Sequence, residues 1–327
     1  MKFINILVVV ALMTGGLHLH AQDFGVEYTT ELQTNFQGCN FVNLLRLNAE
    51  IPISKSMTVE ASTISIAKTR NERLLDDLQT FSNIEEDNLP LAIAVCGANW
   101  QINDKHSLFM GIRNMNEDYF TSPVTSFFTN SSCGIYPTIS ANYPIANYPV
   151  ASVGMHYCYD GVPIKVQASL YNGTGYNRFT GRENVFRVCP KDDGVFGITE
   201  VSYIHGGSCY FLGNALYCKD RISATPWFYT EQSITSNLTL LAGYSHAFSA
   251  DAECKDFVGF GAFYKFGRCQ LGTFTDYANF VGRNEFATEL TCKIPIFQHI
   301  DIQPIVHFVA YDSRLHSIAM LRMAISY

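Results

Sequence analysis

Arg113, Asn114, Glu117 and Asp118 stand close together in the chain and are followed at once by Tyr119. Guanidinium, amide and carboxylate groups are planar and hydrogen-bond in fixed directions. An aromatic ring adds a flat apolar face. Side by side, the two kinds of group suit a solute with hydroxyls around its rim and C–H groups on its faces. The same types recur at Arg46, Glu50, Glu60, Glu289 and Arg322, and at Trp100, Phe127, Phe128 and Tyr136, with Asn130 close behind the phenylalanines.

Residues that would break bonds are present but wrongly spaced. The HxH pair His18 and His20 lies in the leading segment, and no HExxH follows among the nine histidines. Ser245 and His246 are adjacent, so on a strand they point to opposite faces and cannot form a nucleophile and its base. There is no GxSxG elbow and no phosphate-binding glycine loop. Gly259 and Gly261 fall in an aromatic strand pattern, where glycine relieves packing. The ten cysteines contain no CxxC, which removes zinc-ribbon and thioredoxin-like readings. Cys39 and Cys292 occupy strand positions that a small apolar residue would fill equally well. Cys209 and Cys218 flank an expected turn at Gly213-Asn214, a spacing compatible with one hairpin disulfide. The residues point to no enzyme, no metal and no cofactor.

The elements that position these groups are strands. Leu45, Leu47, Ala49 and Ile51 alternate with Arg46, Asn48 and Glu50, and Met57, Val59 and Ala61 alternate with Thr58, Glu60 and Ser62. Leu238, Leu240, Ala242 and Tyr244 form another stripe. Leu290, Cys292 and Ile294 oppose Glu289, Thr291 and Lys293, while Ile300, Ile302, Val306 and Phe308 oppose His299, Asp301, Gln303 and His307. The last segment sets Ala319, Leu321, Met323, Ile325 and Tyr327 against Arg322, Ala324 and Ser326. Only 16% of residues are charged, against about 25% in soluble domains, yet mean hydropathy is near zero at +0.05 and no apolar run is long enough for a spanning helix. Few charges without a long apolar run suit strands with one face to lipid and one to water, and only a closed barrel satisfies such strands in a membrane.

The spacing of turn residues predicts an all-β, transmembrane antiparallel barrel of about 16 strands over residues 22–327. Residues 1–21, with Lys2, an apolar run from Ile6 to Met13 and small residues up to Ala21, read as a secretory signal peptide. Two stretches break the strand rhythm. Positions 69 to 89 carry acids with Leu74, Leu78 and Phe81 at helical spacing, which predicts a short amphipathic helix. Positions 118 to 150 are long, apolar and rich in proline, which predicts a loop folded into the lumen. A net charge of −7 without a basic cluster excludes nucleic acid as a partner.

Three stretches carry a family resemblance. FFTNSSCGIYPTISANYPIANYPVASVGMHYCYDGVPIKVQASLYNGTG, Phe127 to Gly175, DLQTFSNIEEDN, Asp77 to Asn88, and FATELTCKIPIFQHIDIQPIVHFVAYDSRLHSIAMLRMAISY, Phe286 to Tyr327, resemble the carbohydrate-selective, OprB-like porins of Gram-negative outer membranes. They cover about half of the chain. The chain departs from that family in its shorter length, its clipped Tyr311 to His316 hairpin and its cysteines, which bear on pore size and substrate choice. The resemblance implies passive diffusion of small polar solutes, sugars among them, through a water-filled lumen narrowed by inward loops. It also implies an outer-membrane location, a homotrimer, and recognition by the barrel-assembly machinery through the strand ending at Tyr327. The pathway residues would then be Arg46, Glu60, Trp100, Arg113, Asn114, Glu117, Asp118, Tyr119, Phe127, Phe128 and Asn130. Holding must be weak, because a tightly bound solute blocks its own passage. The alternative is a barrel for hydrophobic solutes or one whose lumen is plugged. The run Tyr229 to Gln232 is also similar to part of an outer-membrane phospholipase, but lacks that enzyme's paired serine and histidine.

Overall fold

A computed structural model describes residues 23–327; the expected signal peptide lies outside them. Each alternating segment forms a strand: β1 (Asp23–Thr34), β2 (Cys39–Ser54), β3 (Met57–Lys68), β4 (Leu89–Asn103), β5 (His106–Arg113), β6 (Ser152–Asp160), β7 (Ile164–Asn172), β8 (Val195–His205), β9 (Ser208–Cys218), β10 (Ile222–Ser233), β11 (Leu238–His246), β12 (Cys254–Phe266), β13 (Cys269–Phe280), β14 (Arg283–Phe297), β15 (Ile300–Tyr311) and β16 (Arg314–Ser326). Every strand pairs antiparallel with its sequence neighbour, and β16 returns to β1, closing a 16-strand barrel. Val26 and Tyr327 exchange two backbone hydrogen bonds of 2.9 Å at that seam.

Alternation becomes inside and outside. On β14, Glu285, Ala287, Glu289 and Thr291 are buried inward while Phe286 and Leu290 lie exposed on the outer face. On β2, Arg46, Asn48 and Glu50 face the lumen, as the pattern predicts. One end of the barrel has tight turns, such as Gly206-Gly207, where both glycines take positive φ (58° and 81°) that a hairpin of this length demands. The long connections all leave the other end: L2 (69–88), L3 (114–151) and L4 (173–194).

L2 contains no helix. The helical spacing has a different cause: Leu74, Leu75 and Phe81 pack on Ala287, Ile305, Val309, Ile318 and Met320, the inner wall of β14 to β16. The expected turn at Gly213-Asn214 is also absent. β9 runs straight through it, because Gly213 leaves room for the Trp227 ring on β10. Cys209 and Cys218 therefore sit at opposite ends of one strand, and all ten cysteines are free.

L4 turns outward. Its Val185 packs on Ile112 and Ala151, covering the outer side of the barrel where β5 meets β6. Asp193 ties the loop down by accepting hydrogen bonds from Asn172 (3.0 Å), Tyr176 (2.9 Å) and Arg187 (2.9 Å). Burial works against its ionisation, but those three bonds outweigh it and hold its carboxyl below the ordinary carboxylate range. A depressed carboxylate pKa contributes stability that is present above the unfolded value and lost as pH falls through the folded one. Amide exchange across residues 173–194, corrected for intrinsic rate, is therefore expected to speed up on acidification below the ordinary carboxylate range, and to be fast at neutral pH in Asp193→Ala. Unchanged protection in that variant would remove Asp193 as the tie.

Candidate functional site

L3 enters the lumen directly from β5. Its first residues form a single 3-10 turn, Met115–Glu117, whose N-cap Asn114 accepts from the Asn116 N–H (2.8 Å) and donates to the Val150 carbonyl (2.9 Å). This turn presents Glu117 and Asp118 to two arginines on the wall. Arg113 donates twice to Asp118 (2.7 Å each) and once to Glu60 on β3 (3.0 Å). Its guanidinium lies 4.6 Å from the centre of the Phe109 ring. Arg46 donates to both oxygens of Glu117 (3.0 and 2.7 Å) and to Asn48 (2.8 Å). Asn48 in turn holds Glu27 and Ser62, and Asn99 donates to Glu60 (2.9 Å).

These groups surround a polar cavity of about 270 Å³ lined by Arg46, Asn48, Glu50, Glu60, Ser62, Arg113 and Glu117. Gly97, Gly111 and Gly154 pair directly opposite one another beside it. A Cβ on Gly97 would strike the Met110 carbonyl and the Phe109 ring, so the wall can pack this closely only without side chains. The arrangement offers directional hydrogen bonds to a group that enters the cavity. None of the residues that line it is a histidine or a cysteine.

The remainder of L3 is sealed against the opposite wall. The Tyr119 hydroxyl bonds Ser169 (2.8 Å) and the Ile198 carbonyl (3.1 Å), and burial pushes its pKa up, so it remains a donor. Glu231 on β10 accepts from the Val124 N–H (3.0 Å) and from Ser122. Glu289 accepts from the N–H groups of Thr129 (2.9 Å) and Asn130 (2.8 Å), and Asn130 also donates to Asp276 (2.8 Å). Phe127 packs edge-on to Phe263, and Phe128 lies against Phe274. Gly272 and Gly243 on the wall leave the spaces that Phe127 and Tyr136 occupy. L2 joins the same body through backbone bonds from Asn83 to Thr129 (2.8 Å) and from Ser131 to Thr80 (3.0 Å).

Of the residues expected along a solute pathway, Arg46, Glu60, Arg113 and Glu117 line the cavity, with Asp118 immediately behind Arg113. Asn114 is buried as a cap. Tyr119, Phe127, Phe128 and Asn130 are at most 6% exposed and act as anchors of L3, out of reach of a passing solute. Trp100 stands on the outer face near the tight-turn end, because Asn99 next to it points inward to Glu60. Asn48, Ser62 and Asn99 belong to the site without having been singled out; their position on the wet side of the β2 to β4 alternation is the signal that carries them.

No family model and no curated protein matches this chain by sequence. Solved structures do match by shape. OprB of Pseudomonas putida in its high-pH structure has a TM-score of 0.80 at 13% identity, covering 94% of each chain. An anion-selective porin from Comamonas acidovorans has a TM-score of 0.63 at 8% identity over 94% of this chain and 99% of its own. The trimer form of OmpT, an outer membrane protein of Vibrio cholerae, reaches 0.60 at 12% identity over 94% and 99%. At these identities the likeness is one of fold. The fold is that of an OprB-like barrel, as the three stretches of sequence imply.

Proposed function

We propose that the chain is an outer-membrane porin through which small polar solutes, sugars among them, diffuse passively. The observation that carries this reading is L3, which is pinned to the wall by the Arg46–Glu117 pair and so narrows the lumen beside a polar cavity lined by Asn48, Glu50, Glu60 and Arg113. Planar donors and acceptors there suit hydroxyl groups, and passage requires that they hold a solute only weakly. Residues 1–21 would direct the chain to secretion, and β16 ending at Tyr327 would be read by the barrel-assembly machinery.

A homotrimer in outer-membrane lipid belongs to the same proposal. Tyr28, Thr30 and Asn43 form a hydrogen-bonded group on the outer face of β1 and β2, with Tyr28 2.7 Å and Thr30 2.9 Å from the Asn43 side-chain oxygen. Polar groups facing lipid are costly, and a second copy would cover them. Asn43→Leu is expected to weaken the oligomer in detergent, as read by sedimentation.

Liposome swelling with refolded protein tests the channel. Neutral sugars are expected to enter faster than amino acids of similar size, and Arg113→Ala, which strips Asp118 and Glu60 of their shared partner, is expected to change that ratio. Equal entry would leave a general diffusion pore. A folded barrel that produces no swelling would point to the plugged or hydrophobic-solute alternative, for which the backbone bonds between L2 and L3 are the supporting feature.

A further inference from the structure

We propose that the opening selects by charge, admitting cationic and neutral hydroxylated solutes and holding back anions, with Glu50 and Glu27 setting the preference. The inference rests on the channel reading above. It follows from the strand register, which separates lumen charges from those of loops and the outer face.

On the inner side of β1, β2 and β3, Asp23 lies directly opposite Glu50, and Glu50 directly opposite Glu60. Four residues along β1, Glu27 stands opposite Arg46. Like charges directly across strands work against the sheet. The two nearby cations do little to offset them, because each is already committed. Arg113 directs its guanidinium to Asp118 and Glu60, and Arg46 to Glu117 and Asn48. Among the described residues Glu50 has no hydrogen bond or ion pair, and Glu27 holds only Asn48. Both are exposed to the lumen.

Five carboxylates, Glu27, Glu50, Glu60, Glu117 and Asp118, thus meet two guanidinium groups at the narrow place. A solute carrying an anion finds three of the five N–H groups of each arginine already committed and free carboxylate oxygens beside its path. An ammonium or hydroxyl group finds acceptors. Lys68 lies at the L2 end of β3, with its side chain buried and paired with Asp87 (3.3 Å), while Lys293 on β14 is paired with Asp301 (3.0 Å), Lys265 on β12 lies near the Phe263 ring, and Lys165 is on β7. Low-dielectric walls focus the field of such a row onto the space it borders, and salt weakens it.

The test is the reversal potential of the refolded full-length barrel in a planar bilayer under a potassium chloride gradient, repeated with Glu50→Gln and with Glu27→Gln/Glu50→Gln. Glu50 has no partner to lose, so the first variant is expected to fold as the parent does, which unheated gel mobility checks. The parent is expected to prefer potassium, and the permeability ratio is expected to fall up to roughly fourfold per carboxylate removed, about twofold from each ion, the order set by one unit charge at about 10 Å in water. A zero or anion-preferring potential in the parent, or a ratio unmoved in the double variant, would overturn the charge assignment alone. No conductance from folded barrels at any salt would overturn the channel reading and this inference with it.

Discussion

Glu289→Ala is expected to give a wider, flickering channel with a larger solute cut-off. Glu289 is fully buried on β14 and accepts the backbone N–H groups of both Thr129 and Asn130 at the tip of L3. Alanine leaves both donors buried without an acceptor, at roughly 1–3 kcal/mol each. The apolar anchors nearby, Phe127 and Phe128, contribute about 1.5–3 kcal/mol each through burial. The two effects are of similar size, so the tip should detach intermittently while the first turn, held by Arg46 and Arg113, keeps its place. Single-channel recording in planar bilayers reads this directly. Glu289→Gln keeps one acceptor oxygen and should fall between the two. If conductance and solute cut-off are the same in Glu289→Ala as in the parent, L3 does not set the width of the path.

The second large effect is on stability. Glu31 on β1 is fully buried, and its charge is met by Arg322 on β16 (Nε to Oε1, 2.7 Å) across the seam that closes the barrel. Arg322 also holds Asn83 of L2 (2.6 Å). Arg322→Ala leaves a buried carboxylate with only Gln33 and Ser82 as donors. Breaking a buried pair in this way costs about 3–5 kcal/mol, whereas replacing both partners with apolar groups of similar volume is close to neutral. Urea titration of refolding, followed by the mobility of unheated samples on a gel, is expected to show a large loss in Arg322→Ala and recovery in Glu31→Leu/Arg322→Met. A double variant no better than the single one would mean that geometry, and not the stranded charge, is at fault.

The strands and the direction of their faces were legible in the sequence because a barrel wall imposes period two on every segment, and Arg46, Glu60 and Glu289 obey it. The loops were not, because their partners are far away in the chain. Phe127, Phe128 and Asn130 read equally well as a surface for a solute or as anchors. What decides is Glu289, Asp276 and the glycine at 272, more than a hundred residues later, and one sequence does not pair such positions. Leu74 and Phe81 misled for a related reason: their spacing answers to Ile305 and Met320 on the wall and not to a helix of their own. Gly213-Asn214 has the composition of a turn, but the glycine is there for the ring of Trp227.

L3 also imposes an order in time. It is made early, between β5 and β6, yet the wall groups that receive its tip, Glu231, Asp276, Glu289 and Gln303, all belong to strands synthesised later. Contacts of such long sequence separation form late and slowly. A nascent or refolding chain must therefore draw most of its sheet together with the lumen still unfilled, and seat L3 afterwards. The groups that hold the loop do not exist until the second half of the sheet has been made, so the strands that flank L3 must form around a lumen that is still unfilled.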